Sequence, residues 1–299
     1  MHITTQAPDA RTDSNVVNPR SMKMRVVQIP IFVGLLSILT ACASSPLEQS
    51  GSLGSYDDMS ASNGALTKSR IKIKKDEVLA ARTVRIIPTA YSGAAAKVRF
   101  TSEQRKLVSN SIDRALCVGL SDRFVVVGPN EPADLTVRAM ITHVEATDEV
   151  AAGASKVVGF VPALLGAGFP VPVPRIPIGL GNLSVEADAR SPDNTQQAAM
   201  VWGRGADSIT SRPKVSVASD AYDLGTSFGE DFSKLLTTGE SPFGGSPSAP
   251  SMQQVSSSLG GAPKHAACNA FGRSPGVVGF VGGSLLGMPP EWSDKGGVQ

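Results

Sequence analysis

The chain is poor in the residues that most often build reactive sites. Its 299 residues include three histidines, three cysteines and only 5% Phe, Trp and Tyr. No HExxH pair, CxxC pair, glycine loop ending in Lys-Ser/Thr or aspartate-rich calcium loop is present, so the compact signatures of metalloprotease, redox, nucleotide and calcium chemistry are missing. No metal site and no cofactor is expected. Ser211-Arg212-Pro213-Lys214 has the letters of an SxxK motif. That motif needs Lys one helical turn from Ser, and Pro213 opposes the helix. Catalysis is therefore not the expected role.

Excess charge of one sign is also lacking. The formal net charge is +2, and the first 41 residues hold all of it: Arg11, Arg20, Lys23 and Arg25 against Asp9 and Asp13. The remainder carries 24 basic and 24 acidic residues. Nucleic-acid binding needs a basic surplus that displaces counterions, and none exists here. Long apolar runs are missing as well. Residues 26–39, VVQIPIFVGLLSIL, form the clearest one, 14 residues against the ~20 that a spanning helix requires.

That short run has another use. Lys23 and Arg25 precede it and Leu39-Thr40-Ala41-Cys42 follows it. Basic residues, a short apolar run and small residues before a cysteine make a secretory signal whose end resembles the lipobox of bacterial lipoproteins. The resemblance implies cleavage before Cys42 and acylation of that cysteine, palmitate included. Stable anchoring takes roughly two acyl chains, so a triacylated Cys42 holds a protein on a bilayer without a spanning helix. Ala43, with no Asp in its place, implies sorting to the outer membrane, facing the periplasm. Residues 1–21 are polar and unlike a signal, so translation is expected to start at Met22 or Met24.

Behind Cys42, residues 42–70 read as a Ser/Gly/Asn-rich lipidated tether. A folded domain is expected over 71–239. Residues 83–87 alternate as a strand stopped by Pro88. Thr101 and Gln104 form a capping box for a helix over 102–120, whose Val108, Ile112, Ala115 and Gly119 should lie on a sheet. Further strands are expected at 124–127, 135–142, 184–189 and 197–207, the last two joined through Ser191-Pro192-Asp193-Asn194. A second helix over 219–238 ends at Gly239. The order β-α-β-β-β-β-α gives an α/β chain of the α+β type: one mixed sheet with its helices packed on one face. His143 continues the inward set of its strand after Ile141 and reads as a satisfied strand-end histidine. Residues 240–299 are rich in Gly, Ser and Pro and read as a largely disordered tail.

Several short segments occur in a familiar order: Ser50-Gly51-Ser52-Leu53-Gly54-Ser55-Tyr56, Ile86-Ile87-Pro88, Ala133-Asp134-Leu135 and Val185-Glu186-Ala187. Together with the lipobox they resemble the bacterial lipoproteins grouped as domain-of-unknown-function family 3313, over about residues 50–238. The sequence departs from that family at Ser52, where a bulkier residue is more common. The resemblance implies location and fold, and no catalytic residue or cofactor.

Two features remain. Cys117 and Cys268 would share an oxidising compartment. Cys117 sits about half a turn from Val108, beside Lys106, Asn110 and Asp113, so it is expected to face outward. It either pairs with Cys268, pinning the tail to the helix, or stays free or intermolecular. The insertion 156–181 carries no charge between Lys156 and Arg175, and prolines 162, 170, 172, 174 and 177 prevent one continuous helix. A short apolar turn over 157–167 followed by an extended arm is expected. Val157-Val158-Gly159-Phe160-Val161 and Leu164-Leu165-Gly166 recur in the tail as Val277-Val278-Gly279-Phe280-Val281 and Leu285-Leu286-Gly287. Val157, Val158, Phe160, Leu164, Leu165 and Phe169 are the expected contacts with a partner or a membrane. The readings in order are a non-enzymatic binding or assembly module of the cell envelope, a self-associating structural lipoprotein, and an enzyme acting on envelope polymers. The partner is accordingly an unidentified envelope protein or the chain itself.

Overall fold

The computed structural model describes residues 1–2, 4, 45–162, 175–245, 249–294 and 296–297, with side chains left out at 160–162. The chain divides into two units, Met1–Thr40 and Ala41–Gln299. Only the second is described in any length. Cys42, Leu164, Leu165 and Phe169 lie outside the described residues, as does the side chain of Phe160.

The second unit is built on one mixed sheet of seven strands: β1 (Ser60–Ala61), β2 (Thr67–Ile73), β3 (Thr83–Tyr91), β4 (Val125–Val126), β5 (Leu135–Glu145), β6 (Asn182–Arg190) and β7 (Gln196–Gly205). Their order across the sheet is β1-β2-β7-β6-β5-β3-β4. β3 runs parallel to β4 and β5, and the other neighbours are antiparallel. A parallel pair needs a long crossover. Helix α2 (Ser102–Leu120) supplies it, following the short α1 (Lys75–Ala80). Thr101 and Gln104 close both halves of the expected capping box. Helix α3 (Glu149–Pro162) follows β5, and α4 (Ser219–Thr238) follows β7 and stops at Gly239, which has φ +69°. The β6–β7 hairpin turns through Asn194 at φ +67°, a left-handed position that Asn tolerates.

The core lies between the sheet and the α2–α4 pair. Val185, Ala187 and Ala189 of β6 and Ala198, Met200 and Trp202 of β7 face it, with Trp202 edge-on to Phe228 at 5.7 Å. The face of α2 bearing Ile112, Ala115 and Gly119 meets α4 as well as the core. A Cβ on Gly229 would stand 2.6 Å from Ala115 Cβ and 2.8 Å from Ile112 O, and one on Gly119 would stand 2.5 Å from Ser233 Cβ. Small residues let the two helices approach closely.

Several expectations are corrected. Pro88 does not end its strand, because a register irregularity between Ile87 and Ala90 accommodates the missing N–H. Thr89 turns its N–H and hydroxyl to Asp113 of α2, at 3.1 and 2.5 Å. Residues 42–70 are not a free tether from 45 onward. Residues 67–73 are the strand β2, and Leu53 and Met59 pack with Ala199 and Val201 into a small second core on the outer face of the sheet. Residues 240–299 are not largely disordered: they contain helix α5 (Met252–Ser258), a 3-10 turn at Ala266–Phe271 and a helical stretch over 276–285. The folded body therefore exceeds 71–239. Cys117 is buried, not outward, and is joined to Cys268 with Cα atoms 5.8 Å apart. The reason is that the tail packs on this side of α2 through Cys268, with Gly296 close to Asn110, while Asp113 is buried against Thr89 of β3.

Candidate functional site

Two places on the described surface gather unusual chemistry. The first is the outer face of β6. Ser184, Glu186 and Asp188 point away from the core and would be costly if buried without partners. Residues 45–56 cross this face and supply them. Ser45 Oγ lies 2.6 Å from Ser184 Oγ, and Ser184 also reaches the Pro46 carbonyl. Glu186 is fully buried. Its carboxylate accepts from the Ser50 hydroxyl, from Ser52 N at 3.0 Å, from Ser52 Oγ at 2.6 Å and from Tyr56 OH at 2.7 Å. Asp188 accepts from Gly54 N at 3.2 Å and pairs with Arg190 at 2.6 Å. Burial pushes Glu186 upward, but the hydroxyls of Ser50, Ser52 and Tyr56 outweigh it and hold the carboxyl below its ordinary range. Ser52 makes two of these bonds.

His143 belongs to this outer face, not the inner one. The β5–β6 register shifts between Ile141 and His143, which reverses its side. Its Nδ1 stands 3.0 Å from Glu48 and its Nε2 3.7 Å from Glu145.

The second place is the end of the sheet where β5 finishes, β6 starts and β7 finishes; Glu145, Asn182 and Gly205 are in register there. Asp148 Oδ1 accepts from the N–H groups of Val150 and Ala151 and opens α3 earlier than the expected 157. Val157 and Val158 are exposed on α3, 66% and 51%. The tail repeat comes to the same end: Lys156 Nζ donates to Ser284 O at 2.7 Å, and Val215 N donates to Gly287 O at 2.9 Å. Its Val277, Val278, Phe280, Val281, Leu285 and Leu286 are exposed in turn. Arg212 lies over the Phe280 ring at 5.1 Å, and a cavity of about 240 Å³ behind it is lined by Arg204, Arg212, Lys214 and Ser284. Burial, then Arg212 and Lys214, hold the Lys156 ammonium below the usual lysine range.

Sequence reasoning missed the ionic pins that hold these parts. Arg175 meets Asp220 bidentately at 2.6 and 3.0 Å in the interior, pinning the chain at Arg175 to α4. Arg114 reaches Asp294 at 2.6 Å, and Tyr222 donates to the same carboxylate at 2.8 Å, holding the end of the tail. Long, oppositely charged sequence neighbours would have signalled neither pair, because the partners are 45 and 180 residues apart.

Ser211 engages Asp207 while Lys214 pairs with Asp223 at 2.5 Å, so the SxxK letters do not converge. Gly272-Arg273-Ser274-Pro275-Gly276 has the letters of a nucleophile elbow. It follows a 3-10 turn instead of a strand, and Ser274 Oγ donates only to Ser258 O at 3.5 Å among the described residues. A wider cavity of about 700 Å³ lies between α2, α4 and α5. Its described lining holds no histidine or cysteine, and its Asp231 accepts from Trp202 Nε1 at 2.8 Å. Among the described residues no three His, Cys, Asp or Glu side chains are grouped to hold a metal ion. No helix among them is long and apolar enough to cross a membrane.

The family model for proteins of unknown function called DUF3313 matches residues 48–232. The chain belongs to DUF3313. The match takes in the strand order, the Ser50–Tyr56 segment and its Glu186 partner, and it leaves the disulfide-bound tail outside. No curated protein matches the chain. Similar solved structures include two of the PelC dodecamer from Paraburkholderia phytofirmans. One, a Leu-to-Met variant in space group C2, is 8% identical and covers 58% of this chain and all of its own, with a TM-score of 0.33. The other, in space group P6, is 7% identical, covers 58% of this chain and 99% of its own, and has the same TM-score of 0.33.

Proposed function

We propose that this DUF3313 protein is a lipid-anchored periplasmic lipoprotein of the outer membrane that works without catalysis, as a binding or assembly module of the cell envelope. One observation carries the reading furthest: the segment after Cys42 is built into the sheet. Ser45, three residues beyond Cys42, is already seated on Ser184, and Ser50, Ser52 and Tyr56 close over Glu186. Three residues reach ~11 Å at most. An acylated Cys42 would therefore hold the folded body close to the bilayer and in one attitude, which suits a module that presents a fixed face to envelope components.

The test is site-specific photo-cross-linking in intact cells from exposed positions on each face, such as Val125, Ile178 and Ile209. The module reading expects a discrete adduct with another envelope protein at one cluster of positions. Adducts at twice the chain mass would favour the structural, self-associating reading. No adduct from any position would contradict both.

A further inference from the structure

We infer that the end of the sheet bearing α3 and the tail repeat is a docking surface for an anionic phospholipid bilayer, seated there by Val157, Val158, Val278 and Phe280 with Arg212 beside them. The inference rests on the proposed anchor and names what the apolar end faces.

Three observations converge on this end. The first is where the chain emerges. Ser45 meets Ser184 and Asn182 at the start of β6, and a Cβ on Gly203 near the finish of β7 would touch the Ser45 and Pro46 carbonyls at 3.3 Å. Ser45, three residues beyond Cys42, thus lies at the same end of the sheet as α3 and the tail. The second is the apolar surface itself. Two segments of similar sequence, distant in the chain, are brought side by side by the Lys156 bonds to Ser284 and Leu285, and both leave valines open. Val278 is 74% exposed and Phe280 52%. Patches of this kind mark protein or membrane contacts.

The third is charge. Lys214, Arg204 and Arg175 near this end have Asp223, Asp207 and Asp220 as partners. Arg212 and Lys156 have no carboxylate partner among the described residues; Arg212 spreads over Phe280 and Lys156 donates to backbone. Asp148 and Glu149 at the start of α3 are turned to backbone N–H groups of Val150, Ala151 and Val217. Cations beside an apolar surface suit the phosphate level of a bilayer, with the apolar side chains in the acyl boundary. The cavity behind Arg212 holds the carboxylates of Asp220 and Asp223, but these are paired with Arg175 and Lys214.

The experiment uses the chain from residue 43 onward, which lies within the compact unit beginning at Ala41 and carries no acyl group. Sedimentation with vesicles of phosphatidylglycerol in phosphatidylcholine is compared with phosphatidylcholine alone. Binding is expected to the anionic vesicles, falling as salt rises. Arg212→Ala should weaken it roughly fivefold, and Val278→Asp should weaken it further, with thermal unfolding unchanged because both side chains are open to solvent. Absence of binding at low salt, or binding that neither substitution alters, would overturn the inference. So would competition by inorganic phosphate at constant ionic strength, which would indicate a small-anion site, or a protein adduct from a cross-linker at Val278 in cells. Because no acyl chain is present, failure here leaves the Cys42 anchor standing, and failure of acylation leaves the vesicle result interpretable.

Discussion

Glu186 shows what a single residue decides. Its strand neighbours Val185 and Ala187 alternate inward, so the pattern alone put Glu186 on the solvent side of an ordinary half-buried strand. In the structure it is buried, and the polar segment that looked like a spacer is its set of hydrogen-bond donors. The legible sign was a carboxylate in a central strand flanked by Ser184 and Asp188, three polar groups on one face that need company. Glu186→Gln should cost about 1–3 kcal/mol and free residues 50–56 to exchange their amide hydrogens faster. Since the folded carboxyl lies below its unfolded value, this contribution is complete above pH ~4.3 and fades as pH falls through the lower folded value. Exchange measured down that range should show the segment loosening in the parent protein and no such pH dependence in the variant. Unchanged protection at Ser50 and Ser52 in Glu186→Gln would count against the assignment.

At the scale of elements, α2 and α4 were readable nearly to the residue, because a capping box and a C-terminal glycine are local signals that owe nothing to tertiary context. The surroundings of α2 were not. Lys106, Asn110 and Asp113 suggested a wet side, yet burial raises Asp113 to about 7 despite the Thr89 hydrogen bonds, and Cys117 lies beneath the tail. A helix covered on three sides carries polar residues that are each partnered, and periodicity cannot distinguish that from exposure. Strand β3 failed locally for a different reason: Pro88 was read as a stop, whereas a bulge absorbs it. The α2–α4 contact yields a sharp expectation. Gly229→Ala would press a methyl against Ala115 Cβ and Ile112 O, so the helices must part, at a cost of about 1–3 kcal/mol. Chemical denaturation should show a lower midpoint; an unchanged midpoint would mean the helices are not so close.

For the whole molecule, the main revision concerns its ends. Both flanks of the expected domain read as low-complexity chain, and both are recruited: the front by Glu186 and the small outer core, the back by Cys117, Arg114 and Lys156. Composition could not show this, since Ser and Gly donate backbone and hydroxyl hydrogen bonds as well in a docked strap as in a loose one. Of the expected contact residues, Val157 and Val158 are open on α3, while Phe160, Leu164, Leu165 and Phe169 are not described. The disulfide spans 151 residues. Replacing Cys268 by Ala should destabilise the fold by about 2–4 kcal/mol and open the tail to protease ahead of the sheet. Simultaneous digestion of both would show that the tail is not separately held.

The proposed module and its lipid-facing end both rest on an anchor at Cys42. The most direct measurement is metabolic labelling with palmitate in cells making the parent protein or Cys42→Ala. Label on the parent chain, lost in Cys42→Ala together with membrane retention, is the predicted result. Label that persists in Cys42→Ala, or a parent chain that stays unlabelled with residues 1–41 attached, would contradict it.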